Sequence, residues 1–402
     1  VAFASEIQMQ KMATALGMDP IEFRLKNALD IGKMTITGDV VTVETSAGVK
    51  SCLEAVRKEL ESAPLPQLDS NEKIGVGVAA AYKNVGLGSN IPDGSGAAVS
   101  LEEGGHFLVR HGAADMGQGV NQVVAVIAAR VLGVPLSRIK VHTGDTRYDP
   151  HGGMTTASRA TFVTGNAALL ASQGFRQKLW AVVASEFGVP EDELEIRDGV
   201  FVNAKSGQSY ISLAELAQGD ERLEYQATYQ APKTQPPSDV VDPQADKPLS
   251  PLHFAYCYGA QGVIVAVNEE TGAVRVLKLI AAHDAGLPII EQNVIGQIEG
   301  AAVQGIGYAL SEMFEVEQGQ PSTLKFKDLG LLRFRDLPEI KPIIIEDPHP
   351  LGPFGAKGMG ELAISPTAPA IANAIYDAVG VWVTDLPITK EKVLKALEAK
   401  KL

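Results

Sequence analysis

The stretch 120–141 reads VNQVVAVIAARVLGVPLSRIKV, and the order of signals in it decides the fold class. Val120, Val123, Val124, Ile127 and Val131 recur at helical spacing and predict a helix over 120–132. Gly133-Val134-Pro135 stops it, because glycine closes a helix and proline cannot continue one. Ile139-Lys140-Val141-His142 then reads as a short strand. The same order returns downstream. A helix from Asn166 to Phe187 meets Gly188-Val189-Pro190, and Leu194-Glu195-Ile196 follows its proline at the same offset. Two helix–Gly-Val-Pro–strand units predict an α+β fold with two pseudo-repeated α+β subdomains. Two units are too few for a solenoid.

Toward the N-terminus, residues 5–16 read as a helix with Ile7, Met12 and Leu16 on one side, ended by Gly17. Asp19-Pro20 restarts one, with Asp19 as N-cap and Pro20 at the first helical position. Ser46 is expected to cap a further helix running through Leu60. A Pro-rich polar linker follows. Ile74–Tyr82 is apolar and rich in Gly and Ala, the composition of a buried strand with close backbone neighbours. Gly96–Leu101 and His106–Arg110 predict a strand pair around Glu102-Glu103-Gly104-Gly105. Toward the C-terminus, 230–252 reads as a Pro-rich surface excursion. Gly262–Val267 and Val274–Ala281 read as a hairpin across Glu269-Glu270-Thr271-Gly272. A helix over Asn293–Phe314 carries Gly296, Gly300, Gly305 and Gly307, so something is expected to pack against its backbone. Ser365-Pro366 is expected to open a helix to Val379, and Thr389 to cap a last one. The expected division is a helical segment over 1–62, a linker over 63–72, a first α+β subdomain over 73–260 and a second over 261–402.

The composition sets limits. The chain has 402 residues, 45% of them hydrophobic, and no apolar run of membrane-spanning length. Its 35 basic and 48 acidic residues give a net charge of −13, which argues against a nucleic-acid surface. Cys52 and Cys257 are its only cysteines. They lie far apart in sequence, cannot hold an iron–sulfur cluster or four-cysteine zinc site, and suggest a reducing compartment. No signal peptide is read, and a cytoplasmic setting is expected. The seven histidines lack metal-site spacing. His151 and His283-Asp284 read as structural.

Four short segments carry chemistry. Met116-Gly117-Gln118-Gly119 places one amide between glycines at a helix start, where backbone N–H groups attract anions. Alone it is more often a tight turn. Thr155-Thr156-Ala157-Ser158-Arg159-Ala160-Thr161 precedes the second helix. It reads equally as a cap or as an anion cradle in which Arg159 forks onto a phosphate. Gln297, early in the Gly-rich helix, reads first as a locally bonded amide. In the run Leu351–Pro366, Gly352, Gly355, Gly358 and Gly360 let backbone pass close to a ligand, and Glu361 sets one carboxylate beside it. Its bland reading is a carboxylate stabilised by the following helix N-terminus. Lys357 reads either as a charge screening an anion or as a solvated side chain.

Taken together these segments resemble the molybdenum hydroxylases, the xanthine dehydrogenase and aldehyde oxidase family. The matching residues are His111–Gly119, Ala157–Arg159 with Gly165–Ala167, Gly296–Gly300 with Val303–Leu310, and Gly355–Glu361, in the family's order and at comparable spacing. Phe3–Glu6 with Gly17–Asn27 is similar to a segment from the middle of the family's molybdenum-binding part. The likeness covers nearly the whole chain and is weakest at 190–255.

The resemblance implies the molybdopterin-binding domain fold of that family and a molybdenum–molybdopterin cofactor, with the cytosine dinucleotide as one form. It implies no direct protein ligand to the metal. Gln118, flanked by Gly117 and Gly119, would bond an oxo ligand, and Ala157, Ser158, Arg159 and Ala160 would contact the pterin and its phosphates. Gln297 would bond the pterin region, Gly360 would allow close approach, and Glu361 would be the general base. The implied reaction oxidises an N-heterocycle or an aldehyde by attack of a molybdenum-bound hydroxyl and hydride transfer. Iron–sulfur clusters and FAD would sit on partner subunits or domains. Asp115 stands where the family commonly has Glu. The family's upstream Gly-Phe-Gly and substrate-facing Arg segments are not in this sequence, so an upstream half or second polypeptide is an expected partner. Substrate-contacting residues are expected near Tyr82–Ser89. The competing reading is a catalytically silent cofactor-binding or scaffold fragment.

Overall fold

The computed structural model describes residues 1–43, 45–64, 67–219, 222–235 and 251–401. Residues 65–66 of the expected linker and 236–250 of the expected excursion lie outside the described residues. In chain order the elements begin with α1 (Ala2–Ala15), α2 (Pro20–Asn27) and α3 (Val49–Ser62). Then come β1 (Glu72–Asn84), β2 (Gly94–Glu102), β3 (His106–His111), α4 (Val120–Leu132) and β4 (Ile139–Thr143). Next are α5 (Gly165–Phe187), β5 (Leu194–Arg197), β6 (Val200–Asn203), β7 (Ser209–Ser212), α6 (Leu213–Leu216) and β8 (Glu224–Gln230). The C-terminal part holds β9 (Tyr256–Asn268), β10 (Val274–Asp284), α7 (Glu291–Leu310), a minimal hairpin of β11 (Val316–Glu317) and β12 (Gln320–Pro321), β13 (Glu339–Ile345), α8 (Thr367–Val379) and α9 (Lys390–Lys401).

The first sheet runs β1-β9-β10-β13, with β1, β9 and β10 antiparallel and β13 parallel to β10. Strand periodicity decides what covers each face. Odd-numbered Ala79, Val263, Val265, Val267, Leu279 and Ala281 face the cluster of α7, α8 and α1. Even-numbered Val78, Tyr256, Tyr258, Ala260, Ile280 and Ala282 face α2 and α3. Strand β9 is therefore buried on both sides, which is why it reads as a nearly continuous apolar run, interrupted by Gln261. Each fully buried Val or Ile there contributes roughly 1.5–3 kcal/mol. The glycines of β1 serve the odd face. A Cβ on Gly75 would stand 2.1 Å from Ala374 O, and one on Gly77 2.1 Å from Ala370 O, so α8 lies directly on the strand backbone. The close neighbour expected for 74–82 is this helix.

The second sheet runs β4-β3-β2-β8, and α4 and α5 pack on it. A third, β5-β6-β7, is antiparallel and holds Phe201 edge-on to Trp180 of α5. Both Gly-Val-Pro units form as read. Gly133 (φ 69°) and Gly188 (φ 66°) end their helices in the left-handed region, and each proline precedes a short 3₁₀ turn into a strand. The strands then diverge: β4 joins the second sheet parallel to β3, whereas β5 opens the third. The boundary expected at 260 falls inside β9, whose partner β1 belongs to the expected first subdomain. The first sheet thus draws strands from both sides of that line.

Two helix-start readings are corrected. Ser46 does not cap α3, whose N-cap is Gly48 without a side-chain bond. Ser46 instead accepts a hydrogen bond from the Lys357 ammonium. Ser365 is helical (φ −64°) after a 3₁₀ turn over Leu362–Ile364, and α8 starts at Thr367 with no side-chain cap. Asp19 caps α2 as expected, accepting from the N–H groups of Ile21 (3.0 Å) and Glu22 (2.8 Å). Helix α7 ends at Leu310, short of the expected Phe314. Of its glycines only two are covered, Gly305 by Thr367 of α8 and Gly307 by Glu312; Gly296 and Gly300 face open space. Among the described residues no helix is long and apolar enough to cross a membrane.

Candidate active site: four loops around one cavity

A cavity of about 530 Å³ opens between the helix starts above the second sheet and those beside the first. Its lining includes Gly117, Gln118, Ser158, Arg159, Ala160, Gln297, Gly360 and Glu361; of the expected site residues, Gly119 and Ala157 are not in it. All four sequence segments therefore reach one space.

The first wall is the turn into α4. Asp115 closes it. Its carboxylate accepts from the N–H groups of Gly117 (2.9 Å), Gly119 (3.3 Å) and Asn121 (3.2 Å). Partial burial opposes its ionisation, but these three bonds outweigh burial and hold the carboxyl below its ordinary range. The anion site expected from this helix N-terminus is thus filled by the chain's own side chain. Gln118 is pinned rather than free. Its Nε2 donates to Ala114 O at 2.9 Å and its Oε1 accepts from Met116 N–H. An amide nitrogen carries two hydrogens, so one donor remains for the cavity. His111, just upstream, is buried and its pKa is lowered by desolvation; its Nδ1 accepts from Ala113 N–H at 3.2 Å.

The second wall is the turn 152–160. Ala157 and Ser158 both sit at φ 52°, a strained conformation for residues with a Cβ. Arg159 holds the turn in place. It is 2% exposed, pairs with Asp93 at 2.6 Å, and donates to the carbonyls of Gly152, Met154 and Gly94 at 2.7–2.8 Å. The guanidinium expected to fork onto a phosphate is therefore committed inside the protein, and Arg159 reaches the cavity only with its remaining atoms. Ala160 starts a π-helical turn (160–164) that runs into α5.

The third wall is α7. Its Asn293 Nδ2 donates to Gln122 Oε1 of α4 at 3.0 Å, which joins the two helix starts. Gln297 is half-buried and lines the cavity, and its amide makes no hydrogen bond among the described residues. The locally bonded reading of this amide does not hold.

The fourth wall is the glycine run. The Lys357 side chain is fully buried, bonded to Asp284 and Ser46 and 3.8 Å from Asp347, so its ammonium is neither solvated nor free to meet a ligand, and Lys357 reaches the cavity only with its remaining atoms. Burial pushes the Asp284 carboxyl up to about 6 in spite of that ammonium. A Cβ on Gly358 would meet Ser158 O at 1.6 Å, so the second and fourth walls cross backbone on backbone there. Gly360 has nothing within 4 Å of its Cβ position. Glu361 N–H donates to Ser158 Oγ at 3.2 Å, and Ser158 Oγ lies 2.9 Å from Glu361 Oε2.

The reading of the sequence did not single out Lys83, although the residue lies within the Tyr82–Ser89 stretch expected at the pocket. Its Nζ lies 3.1 Å from Glu361 Oε2 although the two residues are 278 positions apart. Its only local signal was a lysine at the end of a buried strand. The segment expected to carry substrate contacts, Tyr82–Ser89, is absent from the cavity lining. It flanks the site instead, through Lys83 and through Gly86 N–H, which donates to Ala157 O at 2.9 Å.

The cavity suits a large polar group approached by backbone. Gly117 and Gly360 leave open space where a Cβ would stand, Gln297 offers an unpartnered amide, and Gln118 a spare N–H. No three His, Cys, Asp or Glu side chains among the described residues form a metal-binding group.

Residues 47–338 match the family described as molybdopterin cofactor-binding domain. A probable hypoxanthine oxidase of Escherichia coli is 31% identical over 412 residues, covering 98% of this chain and 41% of that protein. A probable xanthine dehydrogenase component of Bacillus subtilis is 29% identical, covering 100% and 52%. Quinoline 2-oxidoreductase from Pseudomonas putida superposes with a TM-score of 0.81 at 25% identity, covering 99% of this chain and 52% of that one. The chain spans about half the length of the curated relatives it matches.

Proposed function

This chain belongs to the molybdopterin cofactor-binding domain family, and from that premise we propose that it builds one side of the active site of a molybdenum-dependent oxidoreductase. The observation that carries the proposal is the convergence of Gln118, Ser158, Gln297 and Glu361 on one cavity. The molybdenum–pterin group, when bound, supplies two-electron redox chemistry. Gln118 presents one N–H to it, Gln297 presents its amide, and the crossing at Gly358 together with Ser158 and Ala160 forms the backbone cradle. Glu361 takes a proton at its carboxylate, the role of a general base, worth roughly 10²–10⁴-fold in rate.

The substrate is an N-heterocycle or an aldehyde, the classes printed in the names of the hypoxanthine, quinoline and aldehyde relatives. An upstream molybdenum-binding half completes the pocket, and iron–sulfur and FAD partners carry electrons away. Two relatives are themselves named as subunits of larger assemblies. The pterin is proposed in its cytosine dinucleotide form.

Gly360→Leu tests the cavity as the cofactor site, because it fills the open space in front of the glycine. The native protein is expected to carry close to one molybdenum per chain by elemental analysis and to release cytidine monophosphate on mild acid hydrolysis. The variant is expected to fold and to lose most of the metal. Unchanged molybdenum in the folded variant would contradict the placement.

A further inference from the structure

The two oxygens of Glu361 are not equivalent. Oε2 receives both contacts, Ser158 Oγ at 2.9 Å and Lys83 Nζ at 3.1 Å. Oε1 has no hydrogen-bond donor among the described residues. We propose that Lys83 is a positioning residue which, with Ser158, clamps Oε2 and so presents Oε1 as the proton-accepting atom. This rests on the reading of Glu361 as the base.

The supports of Lys83 fit that task. It lies at the end of β1, in register with Cys257, and its carbonyl accepts from Cys257 Sγ at 3.4 Å. Its ammonium also reaches Asn84 Oδ1 at 3.5 Å, which fixes its direction from a second side. The side chain is 28% exposed and Glu361 46% exposed. A pair so open to water contributes little to stability. Stability therefore gives little reason for a lysine here, and removing it leaves the fold intact. What the ammonium adds is geometric: a carboxylate held by one hydroxyl can swing about that bond, whereas two donors on one oxygen fix the carboxylate plane.

Lys83→Met and Lys83→Arg in the native enzyme test the proposal, with a second readout that needs no turnover. Lys83→Met is expected to lower kcat about tenfold, equivalent to about 1.4 kcal/mol of barrier, with KM moving by less than about twofold. Lys83→Arg, which keeps a donor in place, is expected to recover most of the loss. Independently, acetylation of Lys83 by an amine-reactive ester, read by peptide mass spectrometry, is expected to run several-fold faster in Glu361→Gln than in the unaltered protein. Equal acetylation rates would remove the ion pair and the proposal with it. Normal turnover in Lys83→Met beside a dead Glu361→Gln would overturn the positioning role and leave the base in place. Normal turnover in Glu361→Gln would overturn both.

Discussion

Glu361→Gln is expected to lower turnover by at least about 10²-fold while molybdenum content stays near that of the unaltered protein. The size follows from the loss of a general base, for which roughly 10²–10⁴-fold is usual. The unchanged metal content follows from the structure. Glutamine has the shape of glutamate, and its carbonyl oxygen can still accept from Ser158 Oγ, so the crossing of the second and fourth walls is kept. The elements proposed to hold the cofactor, Gln118, Gln297, Gly360 and the 157–160 turn, are untouched. Steady-state kinetics and metal analysis on the same preparation check both halves. Loss of the cofactor together with activity would make Glu361 a binding residue and contradict its role as base.

Lys357→Met is expected to destabilise the chain by about 3–5 kcal/mol, the usual cost of removing one partner from a buried ion pair. Both side chains are fully buried, and Asp284 loses its neutralising charge in an apolar setting. The loss has a pH sign. Burial already raises the folded-state carboxyl from 3.8 to about 6 with Lys357 present, and without it only the Gly286 N–H is left to offset burial. A group whose pKa is raised by folding contributes stability at low pH and loses it as pH rises through the folded value. The variant is therefore expected to be least stable relative to the native chain well above pH 6 and to regain part of the difference near pH 5. Urea unfolding at the two pH values measures this. Turnover is expected to fall as well, because Lys357 anchors the run that ends at Glu361. A pH-independent loss would mean that Asp284 does not carry the cost.

The local signals of the sequence were readable because they act over a few residues. The Gly-Val-Pro stops, the Asp19 cap and the β9–β10 hairpin need only neighbours in the chain. The glycines of the fourth wall were also legible as a place of close approach, and Gly358 against Ser158 O is one. What stayed hidden are long-range pairings. Strand β1 pairs with β9 across nearly two hundred residues, so a boundary at 260 could not be placed correctly from local pattern. Arg159 looked like an anion ligand because Asp93, 66 residues earlier, gives no sign of being its partner. Lys357 looked exposed because Asp284 and Ser46 come from distant segments. Lys83 lies in a stretch expected at the pocket, but its pairing with Glu361 was hidden for the same reason. Charged residues in glycine-rich loops advertise a ligand and an internal anchor equally well, and only the partner decides between them.

The central claim is that four loops enclose one molybdenum–pterin group. Anomalous diffraction from crystals of the native protein, collected at the molybdenum absorption edge, tests it most directly. The account predicts one strong peak per chain inside the space bounded by Gln118, Gln297 and Glu361. A peak outside that space, or fully folded native protein with no molybdenum peak at all, would contradict it.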